Sequence, residues 1–474
     1  METLPREDNV MDATATPFAG DRPVAHRLSG AALMGFASPG LCIGAISVAV
    51  SVYLTHYYAA HFGLGLSAVG LAFMALRFAD MLVDPLLGLA MDRTRTSLGR
   101  YRVWLAASLV VLVPGILMLF DPPGRVDAVW LVGWLAVYYL GLSMVVLSHA
   151  AWASVIAAAY HERSRVFGAI QMLSIIGGAL VLVIPTLHDG LLASVGLAKT
   201  AISAVGLMGV FIVAVAAAGV ALAVLSAPEQ LLTGVAAPAF GLRDYVQMLF
   251  RPDMGRLVAA EFCLTLGPGW MSALYLFFMR DVMGFALAPA SLLLLVYFVS
   301  GVAGAATMSA VARRFGKHRT LMVVSVLYAL GLMSLLVMPR GLFAGMFAQM
   351  AYVGFFAGSF PLLTRAMVAD VGDAVRLDLG SPRNGLLYSM VTTSQKFGVA
   401  LSIGVSFTLL GWVGYHAGET AVNTPDAVNG LRLVFVIVPI VFALLGTLCF
   451  VGYALDARRH DQIRSALEAR ESAP

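Results

Sequence analysis

Apolar residues occur along this chain in long blocks that short polar segments separate. About twelve of these blocks are long enough to supply the ~20 residues of a membrane-spanning helix. The pattern therefore predicts an all-α membrane protein with twelve transmembrane helices. The predicted spans are residues 30–60, 66–91, 103–120, 128–158, 166–187, 201–226, 256–280, 289–312, 319–338, 341–368, 384–414 and 428–455.

The polar segments divide the chain into two halves. Residues 1–27 are polar and are not followed by the short apolar core of a secretory signal, so they predict a disordered cytoplasmic tail. The longest internal connection, residues 227–255, carries three prolines and separates six predicted spans from six. The predicted units are the tail, an N-terminal half (28–226), the central cytoplasmic connection (227–255), a C-terminal half (256–456) and a cytoplasmic tail (457–474).

Basic residues are distributed unequally between the two sides of the predicted membrane. Of the 30 Lys and Arg residues, 23 lie in the tails and even-numbered connections, whereas 5 lie in the odd-numbered connections. Arg77 and Lys396 account for the remaining two, and both lie within predicted spans. Because cytoplasmic loops are enriched in Lys and Arg, we expect both termini in the cytoplasm.

Composition excludes most other classes of protein. The chain is 60% hydrophobic and 12% charged, with a mean hydropathy of +0.88, whereas soluble domains average about 25% charged residues. The net charge of +4 gives no reason to expect a nucleic-acid partner. The three cysteines lie far apart in apolar runs, and no phosphate-binding loop or metal-binding spacing occurs. We therefore expect no enzyme activity, no cofactor, no metal site and no drive by ATP.

The most informative stretch is RFADMLVDPLLGLAMDRTRTSLGRYR, residues 77–102. Arg77, Asp80 and Asp84 are spaced at i, i+3 and i+7, so they share one stripe of a helix. A charge in the middle of a bilayer costs about 2.5–3.5 kcal/mol even on the most lenient scale, so these groups need partners or a function. Two interpretations remain open: a salt bridge that holds two helices together, or a proton- or ion-binding site facing a cavity.

A weak internal repeat supports the division into halves. DRTRTSLGRYR follows the second span, and ARRFGKHR follows the eighth span, at the matching place in the second half. Two halves repeated in parallel are typical of the major facilitator fold, which binds substrate between the halves near the midplane. Composition alone also permits a different twelve-helix transporter.

The stretch at 77–102 resembles the second helix and following loop of the glycoside–pentoside–hexuronide:cation symporters, a melibiose-permease-like family of the major facilitator superfamily. That family has the pattern R-x-x-D-x-x-x-D-P-x-x-G followed by D-R-T-R-T-x-x-G-R-x-R-x-W. Further similarity covers YHERSRVFG (160–168), ADVGDAVRLDLGSPRNGLLYSM (369–390) and TTSQKFGVAL (392–401). The resemblance extends over about residues 28–465.

The resemblance implies a cation site. In the family the two second-helix acids bind the coupling cation and an eleventh-helix lysine lies near them. These positions correspond here to Asp80, Asp84 and Lys396, with Arg77 expected to balance the acids. At 1.5 Å per residue, Asp80 and Lys396 lie at similar depths, roughly 16 and 18 Å from the cytoplasmic helix ends. Val83 stands where the melibiose-permease pattern has an asparagine ligand, so we expect a proton as the coupling ion in preference to Na⁺.

Substrate and loop candidates are assigned from helical spacing and from the resemblance. His149 and Trp152 share one face of the fourth span, and Tyr388, Thr392 and Gln395 form a polar stripe on the eleventh. The complete set of substrate-binding candidates is His149, Trp152, Tyr57, Tyr53, Gln171, Trp270, Tyr388, Thr392 and Gln395. The conformational loop after the second span contains Asp92, Arg93, Arg95, Gly99 and Arg100.

These observations predict a monomeric symporter of a bacterial inner membrane, which moves a small polar solute together with H⁺ or Na⁺. By resemblance, the solute is a sugar or glycoside. Two other interpretations remain open: a lysophospholipid transporter of the same fold, and a membrane-embedded enzyme or sensor without transport activity.

Overall fold

A computed structural model describes residues 28–227 and 242–471, apart from residues 98, 157–159, 195, 197, 199–201 and 381–382. The predicted tail at residues 1–27 and much of the central connection lie outside the described residues. All regular structure in the described part of the chain is helical.

The helices are labelled here in chain order. They are α1 (Gly30–Ala60, interrupted at Ser38), α2 (Leu66–Arg93), α3 (Tyr101–Phe120), α4 (Ala128–Ile156), α5 (Tyr160–Ser194), α6 (Ala204–Ser226), α7 (Leu242–Leu249), α8 (Pro252–Val282), α9 (Leu287–Phe315), α10 (Lys317–Ser334), α11 (Phe343–Leu379, interrupted at 358–359), α12 (Asn384–Trp412), α13 (Pro425–Leu448) and α14 (Ala457–Glu471).

The helices coincide with the apolar blocks of the sequence. Ten of them, within the described residues, are long and apolar enough to cross a membrane: α1 to α6, α8, α9, α11 and α13. Two further helices also coincide with predicted spans but are not among those ten: α10, which begins with Lys317, His318 and Arg319, and α12, which contains Lys396. The largest shift of a single boundary is at the end of α11, which continues to Leu379 and not 368. A helix continues wherever its backbone hydrogen bonds can form, so hydropathy alone does not mark where it ends.

One end of the bundle carries both ends of the described chain. Arg165 of α5 donates a 3.0 Å hydrogen bond to the carbonyl of Leu28, and Arg256 of α8 donates a 2.7 Å hydrogen bond to the carbonyl of Gly452. We call this end the terminal face. The C-terminal helix α14 packs here against the last turns of α11, where His460 Nε2 lies 3.0 Å from Asp373 Oδ2.

The opposite end, here called the distal face, joins the first and second halves. The backbone N–H of Glu419, between α12 and α13, donates to the carbonyl of Ala60 at the end of α1 over 3.2 Å. Within the first half, the Tyr58 hydroxyl donates to the carbonyl of Leu119 at the end of α3 over 3.1 Å.

The two halves meet along a seam in which α2 packs against α12. Glycines make this contact close, because a Cβ atom added at Gly70 would lie 2.7 Å from Cβ of Phe407. A Cβ atom at Gly404 would lie 2.5 Å from the Met74 sulfur. Small residues let membrane helices approach in this way. The seam therefore positions side chains of α2 directly opposite side chains of α12.

The first long helix of each half contains a π-helical segment: Ala49–Leu54 in α1 and Phe278–Val282 in α8. Such segments are rare and often occur at functional sites. The first segment packs against α8, and within it the Tyr53 hydroxyl donates a 2.7 Å hydrogen bond to Ser291 Oγ of α9. This buried bond also crosses the seam between the halves.

Candidate cation-coupling site

Two carboxylates on α2 form the centre of the candidate site. Asp80 and Asp84 are one helical turn apart, and Pro85 follows within the same helix. The Asp80 side chain is 1% exposed and the Asp84 side chain is 17% exposed. Since buried carboxylates are costly unless they are paired, their partners determine what the site can do.

Lys396 of α12 is the partner from the other half. Its ammonium contacts Asp84 Oδ2 directly and lies 3.7 Å from Asp80 Oδ2. The two charges of the ion pair therefore belong to helices on opposite sides of the seam. The contact of Lys396 with this part of α2 agrees with the similar depths that the sequence predicts for Asp80 and Lys396.

Arg77 is the partner from the same helix. Its Nη1 atom donates a 3.1 Å hydrogen bond to Asp80 Oδ2. The guanidinium carbon lies 5.3 Å from the ring centroid of Tyr139 in α4, within the range of a cation–π contact. Tyr139 is buried, so it gives the Arg77 guanidinium an apolar support inside the first half. Arg77 and Asp80 consequently move together whenever α2 moves.

Ser143 of α4 joins the two carboxylates. Its Oγ lies 2.5 Å from Asp80 Oδ1 and 2.7 Å from Asp84 Oδ1. A serine hydroxyl carries one proton, so it can donate to only one of these oxygens at a time. A second hydrogen bond at the same oxygen requires that a protonated carboxyl donates to it.

The formal charges of the group balance. Two carboxylates face one guanidinium and one ammonium, so the set is neutral when all four groups are ionised. A further cation can enter only if it displaces a positive group or if the set becomes positively charged. Arg77 is held within the first half by Asp80 of α2 and Tyr139 of α4, so Lys396 is the positive group that can be displaced.

The predicted substrate residues of the fourth span lie elsewhere. His149 is buried, and its Nε2 atom lies 2.8 Å from the carbonyl oxygen of Phe36 in α1. Trp152 is fully buried, with its ring edge-on to Phe36 at 5.1 Å. The two residues share a face of α4, as their spacing predicts, but that face packs against α1 within the first half.

The aromatic candidates of α1 and α8 are also engaged with protein groups. The Trp270 indole is buried and donates a 3.1 Å hydrogen bond to the carbonyl of Val434. Tyr53 is buried and bonded to Ser291, and Tyr57 stacks on His61 at 5.2 Å near the distal face. In this arrangement none of the three side chains is bonded to Asp80 or Asp84.

The polar stripe on α12 remains accessible. Tyr388 and Thr392 are exposed, and Gln395 is partly buried beside Lys396. The Tyr388 hydroxyl lies 3.4 Å from the carbonyl oxygen of Arg365. Gln171 on α5 is also exposed.

The predicted conformational loop folds against the start of α3. Arg100 lies 3.8 Å from Asp92, and Gly99 has a φ of +112°, a conformation that side chains disfavour. The loop is thus tied to the end of α2, whereas Arg93 and Arg95 lie on its outer side as exposed residues.

Sequence reasoning missed Ser143 and Tyr139. Both lie in a span that carries no charged residue to draw attention to it, and hydroxyl groups are common in such helices. A search for polar residues at the depth of Asp80 on neighbouring spans could have identified Ser143.

The helical bundle with a charged group buried in its seam can be compared with known membrane proteins. Residues 35–457 match the family described as MFS/sugar transport protein. The chain therefore belongs to this family, and it is a multi-pass membrane symporter of the glycoside–pentoside–hexuronide type.

Three known proteins illustrate the similarity. The Escherichia coli glucuronide carrier protein homolog is 23% identical over 89% of this chain and 92% of its own length. The isoprimeverose transporter of Lactiplantibacillus pentosus is 25% identical over 86% of this chain and 85% of its own length. The crystal structure of the nucleoside transporter NupG aligns with a TM-score of 0.64 at 13% identity, over 90% of this chain and 99% of that one, and shows the fold alone.

Proposed function

We propose that this protein couples the uptake of a sugar or glycoside to the movement of protons, and that Asp84 is the carboxylate that exchanges the proton. The observation that carries the proposal is the ion pair between Asp84 and Lys396, because it crosses the seam between the two halves. A proton on Asp84 removes the negative charge that holds Lys396, so it weakens a contact between parts that must move relative to each other.

The two carboxylates have different partners. The counterion of Asp80 is Arg77, which lies three residues earlier on the same helix, so this pair persists when the halves separate. The counterion of Asp84 comes from α12 and is lost on separation. Asp84 is therefore the group whose protonation follows the conformation, and Asp80 is a fixed negative charge that holds Arg77 and Ser143 in place.

Two features favour a proton over Na⁺. Ser143 contacts both carboxylates with one hydroxyl proton, an arrangement that a protonated carboxyl completes. Val83 has no side-chain oxygen, so it adds no ligand to the oxygens of Asp80, Asp84 and Ser143 that could surround a sodium ion.

The substrate proposal comes from the relatives and from the exposed side of α12. Two transporters of similar length that match this chain are named for a glucuronide and for isoprimeverose, which are both hydroxyl-rich glycosides. Tyr388, Thr392 and Gln395 offer hydroxyl and amide groups next to Lys396, so we assign them the first contacts with such a solute.

The orientation proposal rests on the number of spans and on the basic residues. With α10 and α12 counted as spans the total is twelve, and an even number of crossings returns the chain to the side on which it began. The terminal face then carries most of the basic residues. We assign this face to the cytoplasm and the protein to a bacterial inner membrane.

Uptake by purified protein in liposomes tests the function. We expect an inward proton gradient to drive the accumulation of a β-glucuronide or isoprimeverose and a protonophore to abolish it. Asp84→Asn should abolish accumulation but retain exchange at equilibrium, whereas Asp121→Asn, an exposed carboxyl in a loop, should behave like the wild type. Accumulation driven by Na⁺ without a proton gradient would contradict proton coupling, and competition by lysophosphatidylcholine but not by glycosides would contradict the assigned substrate class.

A further inference from the structure

One partly buried imidazole at the distal end of the seam takes no part in the coupling site. His56 directly follows the π-helical segment and Thr55 in α1, and its ring lies 4.5 Å from the ring of Phe277 in α8. Its Nε2 atom is shielded from solvent and has no hydrogen-bond partner among the described residues. An unpaired polar atom in a buried place is costly, so its presence in a folded protein calls for an explanation.

The charged groups that face His56 come from the π-helical segment of α8. They are Arg280 and Asp281; the Arg280 guanidinium carbon lies 6.0 Å from the ring centroid of Phe277, the same ring that contacts His56. Arg280 donates to both oxygens of Asp281, with Nε at 2.7 Å and Nη2 at 3.1 Å. The hydroxyl of Tyr415 donates to the same carboxylate. The single negative charge of Asp281 is therefore already balanced by Arg280, so a protonated His56 would add an unbalanced positive charge to this group.

The Tyr415 hydroxyl stays protonated at neutral pH, so its hydrogen bond to Asp281 persists. Burial, together with the hydrogen bond to Asp281, raises the pKa of Tyr415 above its ordinary value, so its hydroxyl remains a donor throughout the neutral range. On α1 itself the neighbouring titratable side chains are Tyr53, which is bonded to Ser291, and Tyr57, which stacks on His61.

His56 also lies where the two halves touch. It belongs to the first half, whereas Phe277, Arg280 and Asp281 belong to the second. The same contact contains the bond from Tyr53 to Ser291 and the exposed pair between His61 and Glu419 at 3.2 Å. The closed contact between the halves at the distal face thus shields the Nε2 atom of this imidazole.

We propose that His56 is a second proton-binding site and that its protonation separates the two halves at the distal face. A proton on His56 creates an imidazolium near the Arg280 guanidinium, in a place shielded from solvent where Arg280 already balances the charge of Asp281. Separation of the halves admits water to the imidazolium. By reciprocity, the open distal face then binds the proton more tightly than the closed one does. This inference rests on the relative movement of the two halves in the proposed function but not on the identity of the cation at Asp84.

Thiol labelling of the purified protein in lipid nanodiscs tests the proposal without any transport measurement. Cys42, Cys263 and Cys449 are replaced by Ser, and a single cysteine is introduced at Ser291, which is fully buried in the closed contact. A matched control carries the cysteine at Val422, which is 95% exposed on the same face and reports the intrinsic pH dependence of the reaction. The ratio of labelling rates, Ser291→Cys over Val422→Cys, measures opening.

We expect this ratio to rise by about threefold or more when the pH is lowered from about 7.5 to about 5.5, across the range in which histidine side chains titrate. His56→Phe, which can pack against Phe277, should keep the ratio low at both pH values, and His56→Gln should do the same. His61→Gln should retain the response. A pH response that persists in both His56 variants, or that is lost in His61→Gln, would overturn the proposal.

The same assay separates this proposal from the proposed function. Asp84→Asn should retain the pH response of the distal face even though it abolishes coupled accumulation. A response that disappears in Asp84→Asn and persists in His56→Phe would assign the titration to the coupling site, overturning the role of His56 while leaving proton coupling intact. Thermal melting and elution volume at about pH 7.5, where histidine side chains are mostly neutral, check that each variant is folded.

Discussion

Lys396 of α12 contacts Asp84 of α2, and this ion pair joins the two halves of the protein across their seam. The neighbouring pair of Arg77 and Asp80 lies within a single helix. A relative movement of the halves therefore affects these two ion pairs differently. The first pair must break when α2 and α12 separate, whereas the second remains intact.

The first prediction concerns removal of the ammonium. Lys396→Gln leaves Asp84 without its counterion, and loss of one partner of a buried pair typically costs about 3–5 kcal/mol. Because the Lys396 side chain is 24% exposed, we expect a smaller loss of thermal stability at neutral pH. Acidification should partly restore stability, because a proton on Asp84 then replaces the lost ammonium. Thermal unfolding as a function of pH measures both effects.

A double-mutant cycle supplies the control for this prediction. Asp84→Asn in the Lys396→Gln background should recover stability, because no unpaired charge remains. Lys317→Gln, which removes an ion pair with Asp370 at the terminal face, should lower stability, but Asp84→Asn in that background should give no recovery. Equal and additive losses in the two single variants would show that Lys396 and Asp84 do not act as a pair.

The second prediction concerns the shared hydroxyl. Ser143→Ala removes hydrogen bonds to two carboxylates, and a bond to a charged group is worth about 1.5–3 kcal/mol. We expect the apparent proton affinity of transport to change by about tenfold or more, as read from the pH at which uptake is half-maximal. Ser143→Thr keeps the hydroxyl and should stay close to the wild type. An unchanged pH profile in Ser143→Ala would exclude Ser143 from the proton site.

The third prediction concerns alkaline pH. Burial and the hydrogen bond to Asp281 raise the pKa of Tyr415 in the folded protein, so its contribution to stability is complete below the ordinary tyrosine pKa of about 10. That contribution is lost as the pH rises above this value, because the unfolded chain then ionises and the folded chain does not. We expect the stability difference between the wild type and Tyr415→Phe to shrink above about pH 10. A difference that is constant from neutral to alkaline pH would contradict the raised pKa.

Most of the fold could be predicted from the sequence because hydropathy directly marks which segments can lie in lipid. The α1 bounds, Gly30–Ala60, equal the predicted span, and α12 ends two residues before the predicted boundary. The polar end of α11 could not be predicted in this way, because hydrogen bonding and not hydropathy continues that helix. The π-helical segments also left no periodic signal, since each one shifts the register within a uniformly apolar run.

The residues of the candidate site also differ in whether the sequence alone predicts them. Asp80, Asp84 and Lys396 could be predicted because a charge in an apolar run is conspicuous and because equal depths on two helices allow contact. Ser143 could not, because a hydroxyl in an apolar helix usually bonds its own backbone and carries no distinctive pattern. For His149, helical spacing gave the correct face but not the neighbour of that face, and the neighbour is the carbonyl of Phe36 rather than an open cavity.

The last prediction distinguishes the exposed stripe of α12 from the buried residues of α4 as the place where substrate binds. Thr392 lies one helical turn before Lys396 and is exposed, so its hydroxyl is available to a sugar entering beside the coupling site. Thr392→Val should raise the KM for the glycoside by about tenfold, since loss of a single hydrogen bond to a substrate costs about 0.5–1.5 kcal/mol or somewhat more when a buried partner is left unpaired. Thermal stability should change little.

His149→Gln should show the reverse, with lower thermal stability from the disturbed contact with α1 and an unchanged KM. Uptake kinetics and melting curves measured on both variants separate the two sites. A raised KM in His149→Gln together with an unchanged KM in Thr392→Val would move the substrate site from α12 to α4.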